Sequence, residues 1–395
     1  MLLTARDILF LWVARMIMMG LEFAGDVPFG DVYVHSVVQA PDGRRMSKSL
    51  GTGIDPLTLI DGGARPPVFK EGGEFPAYGA DAVRFGLLAM SSTQDVRFNE
   101  EKVAQGRQLA NKLWNASRLV LLRVPDGVTA GAGAPAPRTV EDRWILSRLQ
   151  DAEREVARAV DAFEFHHAVA RLYSFVYDEL CDWYLELVKP RLYEDDNREA
   201  AGFALHVLAE TLALAHPVIP FVTEEIWSHV PGTGGGLLMD HPYPRADDAL
   251  ADAEAEATVG RAIAAVQELR GWRDRVGAAA GTVVPARLEA EGYDEVAAHV
   301  ARLARVDFVD GDGDGEPVAS VAVPGGAVAV LASEAVDPEA EARRREERAA
   351  HLRGEIARAR GKLGNQGFVG KAPEAVVQAE RDKLARLEAE LGELA

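Results

Sequence analysis

The spacing of apolar residues changes period several times along the chain, and each change marks a boundary between elements. Thr4 followed three positions later by Asp7 reads as a capping box, and the residues after it are apolar on nearly every face as far as Gly20. This predicts a helix over residues 4–19 that is buried all round. DVYVHSVV (31–38) reads as a short strand followed by the turn PDG, and Asp55 and Pro56 then take cap and first-turn positions of a helix over 54–60. A Gly- and Pro-rich insertion fills 62–77, and from Tyr78 to about Leu122 the pattern is helical.

VPDGVTAGAGAPAPRT (124–139) reads as a linker. Amphipathic helices are predicted over 140–163, 166–193 and 199–215, the last ended by HPVIP and followed by FVTEEIWSHV, which together describe an antiparallel bundle. A further helix over 252–276 leads into the strand-like runs TVVPARLEA, ARVDFV, VASVAV and GAVAVLA, a small α/β unit. At the end, Leu352, Ile356, Ala359 and Leu363, and again Leu384, Leu387, Leu391 and Leu394, step by threes and fours as heptad seams do. GNQGFVGKAP separates the two seams and stops a helix, so an antiparallel coiled-coil hairpin is expected.

Composition narrows the class. Hydrophobic residues make up 48% and charged residues 27%, which excludes wholesale disorder. The most apolar stretch, ILFLWVARMIMMG, is split by Arg15 and too short to span a membrane, and no secretory signal is evident, so a cytoplasmic chain without a membrane partner is expected. The lone Cys181 excludes a thiolate zinc cluster and is expected to be a packed thiol. DGDGDGE (310–316) lacks the twelfth-position glutamate of a calcium loop and reads as a solvated turn. A net charge of -19 argues against coating nucleic acid along the whole surface. Yet between Arg343 and Lys371 nine Lys or Arg stand against three acids, a local cationic site.

The densest chemistry lies in GRRMSKSLG (43–51), where three cations and two hydroxyls sit between glycines directly after a strand and turn. Such a loop can cradle polyphosphate with backbone N–H groups, Ser47, Ser49 and the ammonium of Lys48. An exposed basic turn would have the same composition; the order Met46-Ser47-Lys48-Ser49 favours the phosphate reading.

That order, written RMSKS here, resembles the KMSKS signature of class I aminoacyl-tRNA synthetases. With ARDILFLWVARMIMMGLEF, YGADAVRF, GRQLANKLWNASRLVL, DRWILSRL, DELCDWYLELVKPRLY, HPVIPFVTEEIW and FVGKAPEAVVQAERDKL, the chain resembles the valyl-tRNA synthetase family from end to end. The resemblance implies a multidomain, mainly α fold: residues 1–110 the C-terminal part of a Rossmann-like α/β catalytic domain, 111–245 an anticodon-binding helical bundle, 246–335 a small α/β connecting domain and 336–395 a coiled-coil tRNA-binding arm. It implies ligation of L-valine to tRNA(Val) with ATP and Mg2+, and no zinc is expected. Lys48 would be the mobile catalytic lysine, stabilising phosphate charge as valyl-adenylate forms. Arg45, Met46, Ser47 and Ser49 would complete ATP binding, Arg45 replacing the family's first lysine. Ile8 and Trp12, with Asp7, would line the valine pocket, although an apolar pair at i, i+4 is also plain core. Trp144, Trp183, Tyr184 and Trp227 fall on apolar helical stripes and are expected to pack helices. Arg343, Arg344, Arg348, Arg353, Lys362 and Lys371 would contact tRNA phosphates. The family's HIGH motif and editing domain have no counterpart here, so the implied enzyme needs an N-terminal catalytic half, in cis or in trans. The alternative is a stand-alone tRNA-binding or regulatory module.

Overall fold

The computed structural model describes residues 1–47, 49–90, 94–131, 133, 135–309, 317–333, 338–364 and 374–393, and is mainly helical. The chain forms two compact units, Met1–Ala257 and Thr258–Ala395. DGDGDGE lies outside the described residues.

The first unit opens with β1 (Leu2–Ala5), a tight turn over Arg6–Ile8, a wider π-type turn over Leu9–Val13 and α1 (Ala14–Phe23). Two expectations fail here. Thr4 lies inside β1 with its side chain buried, and no side chain caps the following turns, so the Thr4/Asp7 pair is not a capping box. The segment is also not buried all round: Phe10 is 80% exposed and Met18 68%, and Val13 is its one buried residue between Leu9 and Phe23. Apolar composition signals that cover is needed, not where the cover comes from.

β2 (Val32–His35) pairs in parallel with β1. Next come β3 (Val38–Gln39), α2 (Pro56–Asp61), the two-strand ribbon of β4 (Gly63–Ala64) and β5 (Glu74–Phe75), and α3 (Ala80–Leu88). Asp55 caps α2 by accepting the Leu57 N–H at 2.9 Å, with Pro56 at its first position. The single helical run expected from Tyr78 is interrupted, because Val96 and Arg97 form β6, captured by parallel pairing with β3, before α4 (Glu100–Leu121). Leu59, Phe75, Ala82, Val83, Met90, Phe98 and Val103 form the core beneath these elements. A Cβ on Gly106 would meet the Ala82 carbonyl oxygen at 2.9 Å, so α3 and α4 approach as only glycine allows.

The bundle follows: α5 (Val140–Asp161), α6 (Phe165–Ser174), a π-type segment over Phe175–Tyr184, α7 (Leu185–Leu192), α8 (Arg198–Ala215) and α9 (Pro220–Trp227). Thr139 and Asp142 form a capping box at the start of α5. Ile145, Leu149, Leu172, Phe175, Leu205 and Leu212 are completely buried, each worth about 2 kcal/mol of apolar burial. Trp144, Tyr184 and Trp227 are buried as well, whereas Trp183 is half-buried. Cys181 is half-buried, and burial pushes its thiol up to about 12. α3 is fastened to α9 and to the turn before it. The Asp81 carboxylate accepts the Phe221 and Val222 N–H groups at 3.1 and 2.7 Å, and Arg84 donates to the Pro217 and Val218 carbonyls at 2.8 and 3.3 Å.

α10 (Ala253–Val276) begins in the first unit and continues into the second. There β7 (Val284–Ala290), α11 (Ala297–Ala304), β8 (Val306–Phe308), β9 (Pro317–Val323) and β10 (Gly326–Leu331) build a four-stranded sheet in the order β8-β7-β10-β9, with β7 and β8 parallel and the other pairs antiparallel. α12 (Pro338–Gly364) and α13 (Glu374–Glu393) end the chain. Leu352, Ile356, Ala359 and Val377 are buried along them, and Arg360–Glu388, Lys383–Glu355 and Lys362–Glu380 are ion pairs across the two helices.

Candidate active-site loop

The RMSKS stretch follows from three local constraints. β3 is followed by the fully buried Ala40, whose N–H donates to the Arg44 carbonyl while Gly43 donates back to the Ala40 carbonyl, both at 2.8 Å. Gly43 makes this reversal with φ +85, and a Cβ there would press on the Arg97 guanidinium at 3.1 Å. Asp42 fixes the turn by accepting the Arg44 N–H at 3.0 Å and its Nε at 2.7 Å. The backbone N–H of Arg44, more than its guanidinium, holds the Asp42 carboxyl below its usual value.

Beyond the turn, Met46 packs half-buried on the core cluster, which anchors the loop's middle to the fold. Ser47 and Ser49 place their hydroxyls 2.9 Å apart. Thr52 closes the loop: its Oγ1 accepts the Ser47 N–H at 2.9 Å and donates to the Arg45 carbonyl at 3.1 Å, and its own N–H donates to the Ser47 carbonyl at 3.2 Å. Thr52 is 1% exposed, so these polar contacts are made away from water.

The residues expected at the site fare differently. Arg45 reaches Asp7, with Nη1 2.9 Å from Oδ2, so the turn after β1 and the loop after β3 meet. Ile8 and Trp12 are 42% and 43% exposed and are not core. Lys48 lies outside the described residues. Of the cations in the last two helices, Arg343, Arg353 and Lys362 are exposed. Arg353 pairs with Glu346 at 3.2 Å and Lys362 with Glu380 at 3.4 Å. The side chains of Arg344 and Arg348, and all of Lys371, lie outside the described residues. No group of three or more His, Cys, Asp or Glu suited to a metal occurs among the described residues.

Two contributors escape sequence reasoning. Thr52 replaces an asparagine common after the signature in the family the chain resembles, and sequence assigns it no role, since its partners lie five and seven residues back along the chain. Asp95 bridges the loop's neighbours: Oδ1 accepts the Val37 N–H at 3.0 Å and Oδ2 meets Arg6 Nη2 at 2.5 Å. The Val37 N–H is the first cause of its lowered pKa. Only the pairing of β3 with β6 brings it there.

Successive parts of the chain match three family descriptions: tRNA synthetases class I (I, L, M and V) over residues 1–99, the anticodon-binding domain of tRNA ligase over 142–288, and the valyl tRNA synthetase tRNA binding arm over 337–395. The valine–tRNA ligase of Bacillus subtilis (strain 168) is 36% identical over 97% of this chain and 43% of its own length. That of Carboxydothermus hydrogenoformans is 37% identical, with the same coverage of both. The chain thus spans less than half the length of these relatives, as their carboxy-terminal portion. Among solved structures, an Agrobacterium radiobacter K84 LeuRS in ternary complex with tRNA and LeuAMS superposes with a TM-score of 0.51 at 21% identity, covering 64% of this chain and 29% of that one; this likeness shows the fold alone. Matched along 97% of its length to valine–tRNA ligases and ending in their tRNA-binding arm, the chain belongs to the valyl-tRNA synthetase family.

Proposed function

We propose that this chain works as the carboxy-terminal portion of a valine–tRNA ligase, which condenses ATP and L-valine to valyl-adenylate with release of diphosphate and then transfers the valyl group to tRNA(Val) with release of AMP. One observation carries the reading: the serine hydroxyls of RMSKS, 2.9 Å apart, sit on a loop clasped at both ends and joined to the first helical segment through Arg45 and Asp7. Hydroxyls held in this way can receive phosphate oxygens with little rearrangement, as electrostatic stabilisation of a developing charge requires. Ser47, Ser49, Arg45 and Met46 form the ATP side. Lys48 supplies the mobile cation for the α-phosphorus step, Mg2+ arrives with the nucleotide, and Ile8, Trp12 and Asp7 line the valine pocket.

The domains follow the same reading: 1–110 is the C-terminal part of a Rossmann-like catalytic domain, 111–245 the anticodon-binding bundle, 246–335 a connecting domain, and 336–395 a coiled-coil hairpin. Arg343, Arg344, Arg348, Arg353, Lys362 and Lys371 of that hairpin bind tRNA phosphates, with the acids that pair Arg353 and Lys362 giving way to the ligand. The amino-terminal portion of the relatives supplies the other catalytic half, in cis or in trans. Parallel strands are normally covered on both faces, while β1, β2 and the segment after β1 expose Leu3, Phe10, Leu11, Trp12 and Val34. No described helix is long and apolar enough to cross a membrane, and the cytoplasm is the proposed location.

The test is valine-dependent ATP–diphosphate exchange. The chain alone is expected to bind tRNA weakly and exchange nothing; supplied with the amino-terminal portion of a relative it exchanges, and Lys48→Ala slows exchange about a hundredfold with little change in tRNA affinity. Exchange by the chain alone would overturn the need for a second half. Equal losses in exchange and tRNA binding would remove Lys48 from the chemistry. A combined assembly that binds tRNA and never exchanges would favour the binding module.

A further inference from the structure

Thr52 is one of few fully buried polar side chains in this part of the molecule, and its surroundings are unusual in what they join. The hydroxyl is used in both directions at once, accepting the N–H of Ser47 and donating to the carbonyl of Arg45. Those two groups flank Met46, so one hydroxyl holds both peptides on either side of the residue that plugs into the core. The backbone N–H of Thr52 then returns to the Ser47 carbonyl at 3.2 Å. The result is a closed ring of chain from Ser47 to Thr52, with the serine pair on it and Gly51 supplying the left-handed residue at φ +63 that the closure needs.

No other described side chain hydrogen-bonds the backbone of residues 45–47. Without the hydroxyl, the Ser47 N–H loses a buried acceptor and the Arg45 carbonyl a donor, and the ring is left with the single Thr52-to-Ser47 backbone bond. The serine hydroxyls would then sample many positions before each turnover rather than one. A loop that must meet charge as it develops loses rate in this way without losing its fold.

We infer that Thr52 is the positioning residue of the RMSKS loop: it touches no substrate, and its hydroxyl clasps the peptides of Arg45 and Ser47 so that the Ser47–Ser49 pair is preset for phosphate. The inference rests on the reading of this loop as the ATP site, and it adds a residue outside the signature whose loss lowers the rate of the chemical step rather than the amount of folded protein.

Thr52→Val keeps the shape and burial and deletes both hydrogen bonds; Thr52→Ser keeps both. Two measurements decide. In the first, the chain itself is treated briefly with trypsin, and cleavage after Arg44, Arg45 and Lys48 is followed by mass spectrometry. Thr52→Val is expected to be nicked there about tenfold faster than wild type, with Thr52→Ser within about twofold of it, since losing a buried hydrogen bond of ordinary strength changes a local opening equilibrium by about that factor. In the second, the chain is combined with the amino-terminal portion of a relative, and the adenylate burst is measured with ATP and valine. Thr52→Val is expected to lower the burst rate about tenfold at unchanged amplitude, and Thr52→Ser to restore it.

A lowered amplitude at unchanged rate, in both variants, would reduce Thr52 to a folding role and overturn the inference. Unchanged nicking in Thr52→Val would overturn the clasp itself. Faster nicking with an unaltered burst would separate the clasp from the chemistry and also overturn it, while leaving the ligase reading intact. If wild type forms no adenylate in the combined assembly, it is the ligase reading that fails, and the clasp then stands or falls on the trypsin comparison.

Discussion

Replacing Glu153 by Gln should stabilise the protein, and by an amount that grows with pH. Glu153 lies on α5 at 2% exposure, inside the bundle. Burial, reinforced by the charge of Glu210 on α8, pushes its carboxyl up to about 8 from an ordinary 4.5. Glu210 is raised too, by burial, against an opposing pull from His241, and Tyr243 is pushed up to about 12 by burial and by Glu153. The sign follows from linkage. A carboxyl whose folded pKa lies above its unfolded value binds more protons in the folded state, so stability is fully present below the unfolded value and is lost as pH rises through the folded one. At about 1.4 kcal/mol per pK unit, the wild type forfeits about 1 kcal/mol at pH 5 and up to about 5 kcal/mol at pH 9. Gln keeps the volume and cannot ionise. Urea unfolding followed by circular dichroism, at both pH values, should therefore show the variant gaining about 4 kcal/mol more on wild type at pH 9 than at pH 5. Stability curves that run parallel within about 1 kcal/mol across this interval would refute the reasoning and mean that Glu153 ionises at little cost.

Three further outcomes are expected. Asp81→Ala removes the carboxylate that accepts two N–H groups at the start of α9, and should lower stability by about 2 kcal/mol in urea titration, while Arg84 still joins α3 to the Pro217 and Val218 carbonyls. Phe163 lies just past the C-cap of α5 at φ 59, where glycine is usual, with its ring 5.4 Å from that of Tyr33. Phe163→Ala should therefore be less stable than Phe163→Gly by about 1 kcal/mol, since both lose the ring but only Ala retains the strained Cβ. Cys181, with its thiol pushed up to about 12 by burial, should react with iodoacetamide at pH 8 at least a hundredfold more slowly than free cysteine, which alkylation timed by mass spectrometry checks.

How much of this was legible in the sequence depends on where each residue's partners lie. The bundle helices could be read because amphipathic periodicity is a local signal: Ile145, Leu149, Val156 and Leu172 are buried where the pattern puts them. The start of α2 was legible for the same reason, since Asp55 and Pro56 act within two residues of their own positions. Thr4 and Asp7 mimic a cap, but β1 pairs with β2, some thirty residues later, and that pairing decides the backbone of Thr4. β6 was missed because two residues of strand have no periodicity and exist only through β3. In the candidate site, the hydroxyls and cations of RMSKS could be listed from the sequence, yet the Asp7–Arg45 contact and the Thr52 clasp are products of tertiary folding.

The wide π-type winding of Phe175–Tyr184 also matters to anyone who would recombine this protein with its relatives. Its buried residues are Phe175 and Val176, then Leu180 and Tyr184, each four residues after the last. Ten residues wound with i to i+5 bonds complete roughly half a turn less than ten α-helical residues would. The segment thus acts as a phase shifter: α7 presents a face about half a revolution away from the one that α6, extended as an ordinary helix, would present there. A chimera that replaced part of these ten residues with a segment wound as an ordinary α-helix would rotate Leu185, Val188 and Leu192 away from the core, whereas one that takes the segment whole keeps both helices in register.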